Sequence, residues 1–433
     1  MTETPAQDTR VPHDLKLTHV AAVAAGNALE FYDFILYSTF AIFIGQAYFP
    51  AHGAGASLLL SLGTFGIGFV TRPIGSIVLG RVGDAIGRKP AMLISFTLMA
   101  LGLLGVAVTP TYAQIGMAAP VIVIISRLVQ GFALGGEVGP STAYLIEAAP
   151  PHRRGLIGSM QITSQNLANL VGAVVALGLS LLLPKAALAE WGWRAAFLVG
   201  LFIVPFGMIV RRSLHETAPP RAAAAVRQPF PWRLVIASAV TLAGATMTTY
   251  TGSYLVTFAM DSLRVSPSTA FGIGVTGGLC GVIFCPIGGW LSDRYGRRWV
   301  MIPGSILTAA LVIPVYSYMV SHPTPLALYA SVAAIAAPTA FSGAPIILAI
   351  TESFPARMRC FAVGVIYAVT IAVFGGFTQL AIAALIHTTG QPMAIGYYRL
   401  GATVLMVIGM LILPESAPSR ARKSPLAVAA AQA

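Results

Sequence analysis

Apolar residues in this chain come in long, nearly unbroken runs, separated by short stretches that hold Gly, Pro and charge. Twelve runs fall near 19–45, 57–80, 90–109, 115–148, 158–183, 194–212, 233–260, 268–291, 299–320, 324–352, 361–387 and 396–413. Crossing a bilayer as a helix takes about 20 mostly apolar residues. In lipid the backbone must satisfy its own hydrogen bonds, which leaves helices or closed barrels. The pattern predicts an all-α membrane protein of twelve transmembrane helices, spans 1 to 12. A polar cytoplasmic segment, 1–18, precedes them. A six-helix bundle over 19–212 is followed by a Pro-, Ala- and Arg-rich cytoplasmic linker, 213–232, a second six-helix bundle over 233–413 and a basic cytoplasmic tail, 414–433.

Composition agrees with the pattern. Of 433 residues 56% are hydrophobic and 9% are charged, against roughly 25% charged in a soluble domain. The mean hydropathy is +0.80. A large water-soluble domain is excluded. The net charge of +12 raises nucleic acid as a partner, but the placement of the basic residues argues against it. Arg81, Arg88, Lys89, Arg153, Arg154, Arg294, Arg297, Arg298, Arg357 and Arg359 all fall on one side of the predicted membrane. The opposite loops keep mainly Lys185, Arg194, Arg264 and Arg399. That asymmetry is the positive-inside pattern and predicts two cytoplasmic termini. The first eighteen residues show no removable signal peptide. Cys280, Cys285 and Cys360 suit neither a metal site nor a disulfide framework and read as small packing residues.

An internal repeat divides the chain at the linker. The run from Gly80 to Lys89 matches that from Gly289 to Arg298 at an offset of 209, with the glycines, the acid and the two terminal basic residues coinciding. Glu147, Pro150 and Arg154 match Glu352, Pro355 and Arg359 at an offset of 205. Two six-span halves related by parallel duplication follow.

The Gly-x-x-x-Asp-x-x-Gly-Arg-Lys loop after span 2, its copy after span 8, and Arg127-Leu128-Val129-Gln130-Gly131 in span 4 resemble the major facilitator superfamily. Narrower motifs resemble its metabolite:proton symporter branch: Gly26-Asn27-Ala28-Leu29-Glu30-Phe31-Tyr32-Asp33-Phe34, Arg72-Pro73-Ile74-Gly75, the stretch from Gln130 to Glu137, and Phe374-Gly375-Gly376-Phe377-Thr378. In length and spacing the whole chain is similar to bacterial citrate and tricarballylate proton symporters. The resemblance implies a secondary transporter of the bacterial inner membrane, not an enzyme, working as a monomer by alternating access. The same resemblance leads one to expect as partners a small organic acid anion, protons and the lipid bilayer, with no nucleic acid. It likewise implies no cofactor or metal, with energy drawn from the proton gradient. One departure is Gly139-Pro140 where the branch leads one to expect Gly-Gly, which is expected to bend span 4.

Ionisable residues inside spans are costly and mark substrate or ion paths. In span 1, Asn27, Glu30, Asp33 and Tyr37 recur at three- and four-residue steps, as do Arg127, Gln130, Glu137 and Ser141 in span 4. Arg72 stands alone in span 2. A polycarboxylate leaving water needs cationic, bidentate-capable donors, and Arg72 and Arg127 are the candidates. Asn27, Gln130, Gln165, Tyr250 and Tyr254 are the expected uncharged contacts. Proton coupling needs an acid whose affinity for the proton responds to burial and to a nearby cation, and Asp33, Glu30 and Glu137 qualify. The alternative for each charge is a permanent ion pair that only holds helices together. The resemblance assigns Asp84, Arg88, Asp293, Arg297, Glu147 and Glu352 to a cytoplasmic gate, the alternative being topogenic charge alone. Another small organic acid (a dicarboxylate or shikimate-like acid), a zwitterionic osmolyte, or a non-transporting receptor remain as other functions. No sustained heptads follow Pro414, which weighs against an osmosensing carrier.

Overall fold

The structure, a computed structural model, describes residues 27–28, 31–32, 35–51, 54–86, 88–135, 149–201, 231–354 and 356–417. For residues 54, 83–86, 88–89, 92, 151 and 356–361 it describes the backbone alone. Glu30, Asp33, Glu137 and Glu147 lie outside the described residues, as do the side chains of Asp84 and Arg88. The described residues contain helices and no strand.

The helices fall where the apolar runs predict them. Span 2 is Ala54–Val70 and Arg72–Ile86, joined at Thr71. Span 3 is Arg88–Val108, span 4 includes Ala118–Gly135 and span 5 is Arg154–Leu182. Spans 7 to 10 are Trp232–Asp261, Pro267–Tyr295, Arg297–Ser321 and Pro325–Ser353. Span 11 is Ala356–Thr370 and Gly376–Thr389, bridged by a π-turn at Ile371–Gly375, and span 12 is Ala394–Ile412. Spans 1 and 6 are described in part, through residues up to 48 and through 193–201. Among the described residues nine helical segments are long and apolar enough to cross a membrane.

Local chemistry sets several of these ends. Ser266 and Thr324 precede Pro267 and Pro325, and their side-chain oxygens accept hydrogen bonds from the Thr269 and Ala327 N–H groups. A hydroxyl cap followed by proline, which has no N–H to leave unsatisfied, is a favoured helix start. Spans 8 and 9 are separated by Gly296 alone, whose φ is 105°. Only glycine adopts that backbone without strain, so the repeated loop motif makes this abrupt reversal.

Exposure is inverted relative to a soluble protein. Ile74, Ile77, Leu101 and Val108 are exposed, whereas Arg72, Arg127, Gln130 and Arg399 are buried. Small residues bring the helices together, as in other membrane bundles. A Cβ on Gly131 of span 4 would stand 1.5 Å from the Gly68 carbonyl oxygen of span 2, and one on Gly135 would stand 2.0 Å from that of Arg72. The two halves meet in the same way. Gly66 of span 2 lies against the Gly376 carbonyl of span 11, and Gly278 and Gly281 of span 8 lie against Leu170 and Asn166 of span 5. The polar hollow lies between these contacts.

Candidate functional site

A cavity of about 270 Å³ lies where the bundles face each other. Span 5 contributes Gln161, Gln165, Asn166 and Asn169; span 7 contributes Thr246, Thr249, Tyr250 and Ser253. The four-residue repeat of amides in span 5 puts them on one helix face, and that face forms a wall of the cavity. Thr339 of span 10, Tyr367 of span 11 and Arg399 of span 12 also line it. The mixture of amides, hydroxyls and a guanidinium on an apolar floor suits a small, polar, anionic solute.

Arg399 corrects the sequence reading, which assigned it to an outer loop. It lies six residues into span 12 and is 3% exposed. Its Nη2 donates to Thr339 Oγ1 at 3.2 Å and its Nη1 to the Tyr316 hydroxyl at 3.4 Å. Its isolation from acids along the sequence was the available signal, but its nearness to the end of an apolar run made it look like a loop charge.

Arg72 and Arg127 share an aromatic setting in the first bundle. The Arg72 guanidinium carbon lies 4.1 Å from the Phe69 ring centre. That of Arg127 lies 4.5 Å from the Tyr37 ring and 5.6 Å from the Phe65 ring. Phe69 in turn packs edge-on against Tyr250, with centroids 5.4 Å apart. Arg72 is close enough to Tyr250 for a side-chain hydrogen bond, and Tyr367 stands beside Gln165 with both Tyr250 and Arg72 nearby. Tyr250 and Tyr367 therefore connect the arginine cluster to the cavity they line. Faces of aromatic rings attract cations, which helps to hold both guanidinium groups among these rings.

The other expected contacts divide. Gln165 and Tyr250 line the cavity. Asn27 donates to the Gln161 carbonyl at 3.1 Å and to Ser164 Oγ at 2.8 Å, tying span 1 to span 5. Gln130 Oε1 accepts from Arg127 Nη1 and orients that guanidinium. Tyr254 is fully buried in the hydrophobic core, one helical turn beyond Tyr250. The structure thus brings Gln165 and Tyr250 together at the cavity, with Arg72 beside them, and places Asn27, Gln130 and Tyr254 behind or away from it.

Towards the basic end of the molecule the halves are joined through Asp293. Its carboxylate accepts from the Gly155 N–H at 2.7 Å and the Leu156 N–H at 3.0 Å. These groups belong to the first turn of span 5, where unsatisfied N–H groups and the helix dipole favour an anion. Arg297 lies behind it, 2.9 Å from Asp293 and paired through Nε and Nη2 with Glu352, each at 3.0 Å. Glu415, just beyond span 12, accepts from the N–H groups of Arg297 and Arg298 at 2.8 and 3.0 Å. Sequence reasoning identified Asp293, Arg297 and Glu352 but passed over Glu415, a lone acid in a tail without a motif. Towards the other end, Ser38 of span 1 exchanges hydrogen bonds with Gln379 of span 11, and Thr257 of span 7 donates to the Ser38 carbonyl. Cross-bundle contacts therefore lie on both sides of the cavity.

Similarity to known proteins supports the fold and extends it. Residues 18–219 match the family model for sugar and other transporters, and residues 236–432 match that for the major facilitator superfamily. The chain is 36% identical over 394 residues to the citrate-proton symporter of Klebsiella pneumoniae, covering 89% of each chain. It is 31% identical over 404 residues to the alpha-ketoglutarate permease of Escherichia coli K12, covering 91% and 92%. The xylose transporter XylE from E. coli, in a partially occluded inward-open conformation, superposes with a TM-score of 0.73 over 92% of this chain and 98% of its own, at 15% identity. Matched in both halves by transporter family models and along nearly its whole length by membrane carriers, this chain belongs to the major facilitator superfamily and is a transporter, not an enzyme.

Proposed function

We propose that the protein imports citrate or a related tricarboxylate together with protons, across the bacterial inner membrane, by alternating access of its two bundles to one central site. The observation that carries this reading is the set of buried guanidinium groups at the boundary between the bundles: Arg399 on the cavity wall, and Arg72 behind Tyr250 and Tyr367. An anion leaving water must find its hydration replaced by such donors. The 36% identity to a citrate-proton symporter supports the choice of solute. The 31% identity to an alpha-ketoglutarate permease favours a dicarboxylate as the second reading.

In this scheme Arg72, Arg127, Gln165 and Tyr250 hold the acid, with Gln130 aiming Arg127 and with Asn27 and Tyr254 supporting the surrounding helices. Asp33, Glu30 and Glu137 are the candidates for the transported proton. The basic end is cytoplasmic, as are both termini. Asp293, Arg297 and Glu352, with their repeat counterparts Asp84, Arg88 and Glu147, hold that side shut while the site faces outward. The protein works as a monomer and needs only the proton gradient. Uptake of radiolabelled citrate into proteoliposomes under an imposed inward proton gradient tests this, with tricarballylate, succinate, alpha-ketoglutarate, shikimate and proline as competitors. Citrate accumulates and tricarballylate competes if the reading holds. Citrate that neither enters nor competes refutes the substrate assignment.

A further inference from the structure

At the end of the molecule opposite the basic one, a titratable side chain stands between the bundles. His387 lies in the last turn of span 11, and its Nε2 is 3.6 Å from a carboxylate oxygen of Asp261, the final residue of span 7. Both residues belong to the second bundle. The same ring meets the first bundle. A Cβ built on Gly55, in the first described turn of span 2, would stand 2.8 Å from His387 Cε1 and 3.2 and 3.3 Å from the two ring nitrogens. Glycine at this position therefore leaves the imidazole a seat on span 2. The His387 side chain stays 34% exposed, so its ring nitrogens can exchange a proton with water at that end.

Charge on this ring acts differently towards the two bundles. Asp261 and the last carbonyl groups of span 11 attract an imidazolium, but they travel with His387 and act whether the bundles are together or apart. Span 2 presents the other end of a helix, whose N–H groups and dipole repel a cation, and it meets the ring only when the bundles close at this end. Closing also strips water from a charged ring. The remaining titratable groups of the described elements packed here belong to the second bundle. Tyr254 of span 7 is buried in the core and Arg264 is exposed in the loop after span 7. On span 12, Tyr398 bonds Thr378, and Arg399 bonds Thr339 and Tyr316. Span 2 has no titratable side chain from Ala54 to Val70, and His52, three residues before Gly55, lies outside the described residues. We infer that His387 is a proton-operated catch on the outer gate. A neutral ring seats on Gly55 and lets the outer side close; a proton taken from outer water onto the free ring nitrogen unseats it and favours the open form. Histidine ordinarily changes charge between about pH 5 and 8. Acid outside, the condition that drives proton-coupled import, thus holds the site open to its solute. This rests on alternating access and on the orientation proposed above.

Spin labels on Met117 and Leu326, exposed at this end of the first and second bundles, report the outer separation by double electron–electron resonance in a background without Cys280, Cys285 and Cys360. The full chain is measured in nanodiscs, without solute or gradient, at about pH 5 and about pH 8. In wild type the ratio of long to short distances is expected to be about fivefold higher in acid, the size of one helix-end charge interaction. His387→Gln and His387→Met, neutral at both pH values, keep the short distance and change less than about twofold. His387→Lys, charged at both, keeps the long distance; methionine, as unbranched and nearly as long, separates the effect of charge from that of length. A wild type without the acid response, a glutamine variant that responds as wild type does, or a lysine variant that behaves like methionine overturns the inference. Glutamine and methionine variants that both fail to fold make the ring structural and overturn it as well. Because no solute is present, citrate that fails to enter proteoliposomes refutes the substrate reading and leaves this result standing, whereas citrate uptake beside a pH-independent outer distance refutes the catch alone.

Discussion

Replacing Asp293 by Asn leaves the shape of the contact at the basic end almost unchanged and removes its charge. Asp293 accepts from two backbone N–H groups of the other bundle, at 2.7 and 3.0 Å, and from Arg297 at 2.9 Å. Hydrogen bonds to an ionised group contribute about 1.5–3 kcal/mol each. An anion at a partly buried helix N-terminus adds about 1–2 kcal/mol. Asn keeps one carbonyl oxygen and turns an NH2 towards the second N–H, so about one charged hydrogen bond and the dipole interaction are lost. A loss of about 3 kcal/mol corresponds to a shift of about 150-fold in the ratio of closed to open forms. The contact spans the two bundles and vanishes when they part at this end, so the loss falls on the conformational equilibrium and not on the stability of either bundle. Spin labels at the exposed positions His152 and Trp299, in a background without Cys280, Cys285 and Cys360, report the separation by double electron–electron resonance. Wild type is expected to show a dominant short distance and Asp293→Asn a population moved to longer distance. An unchanged distribution, with the variant folded, would refute the assignment of Asp293 as a latch.

Arg127→Lys is expected to weaken citrate binding at least tenfold, measured by thermal shift against citrate concentration. A lysine cannot lie flat on Tyr37 and bond Gln130 at once, and wild-type affinity would exclude Arg127 from the site. Gly131→Val should abolish accumulation of folded protein, read by size-exclusion profile of a fluorescent fusion, because the built Cβ already falls 1.5 Å from a backbone oxygen of span 2. Glu415→Gln removes the charge and replaces with an NH2 one of the two carboxylate oxygens that accept from the first two N–H groups of span 9. It is expected to lower the melting temperature by a few degrees, in keeping with loss of a charged cap worth about 1–2 kcal/mol.

The fold was legible because lipid imposes a rule that acts on every residue. Backbone groups must be satisfied inside a helix and side chains facing hydrocarbon must be apolar, so the runs in the sequence are the spans, and boundaries such as 233–260 against Trp232–Asp261 agree to within a residue or two. The Asp293–Arg297–Glu352 cluster was legible as well, because duplication repeated its motif. The site was legible only in part. Periodicity put Gln161, Gln165 and Asn169 on one face and showed span 7 to be unusually polar, but it could not say which neighbours the helix turns towards. Asn27 satisfies its donors within its own bundle, and Tyr254, four residues from Tyr250, points into the core; both choices depend on helix rotation, which tertiary packing sets. Arg399 escaped because it sits near a span end, where a snorkelling or loop arginine has the same sequence signature.

Coupling of organic acid and proton is the central claim, and proton movement reports it directly. In proteoliposomes loaded with a pH-sensitive dye and given no initial gradient, external citrate should acidify the interior in wild type. Proline or xylose should cause no change, and a protonophore should dissipate the signal. Citrate that enters without any change of internal pH would contradict the account.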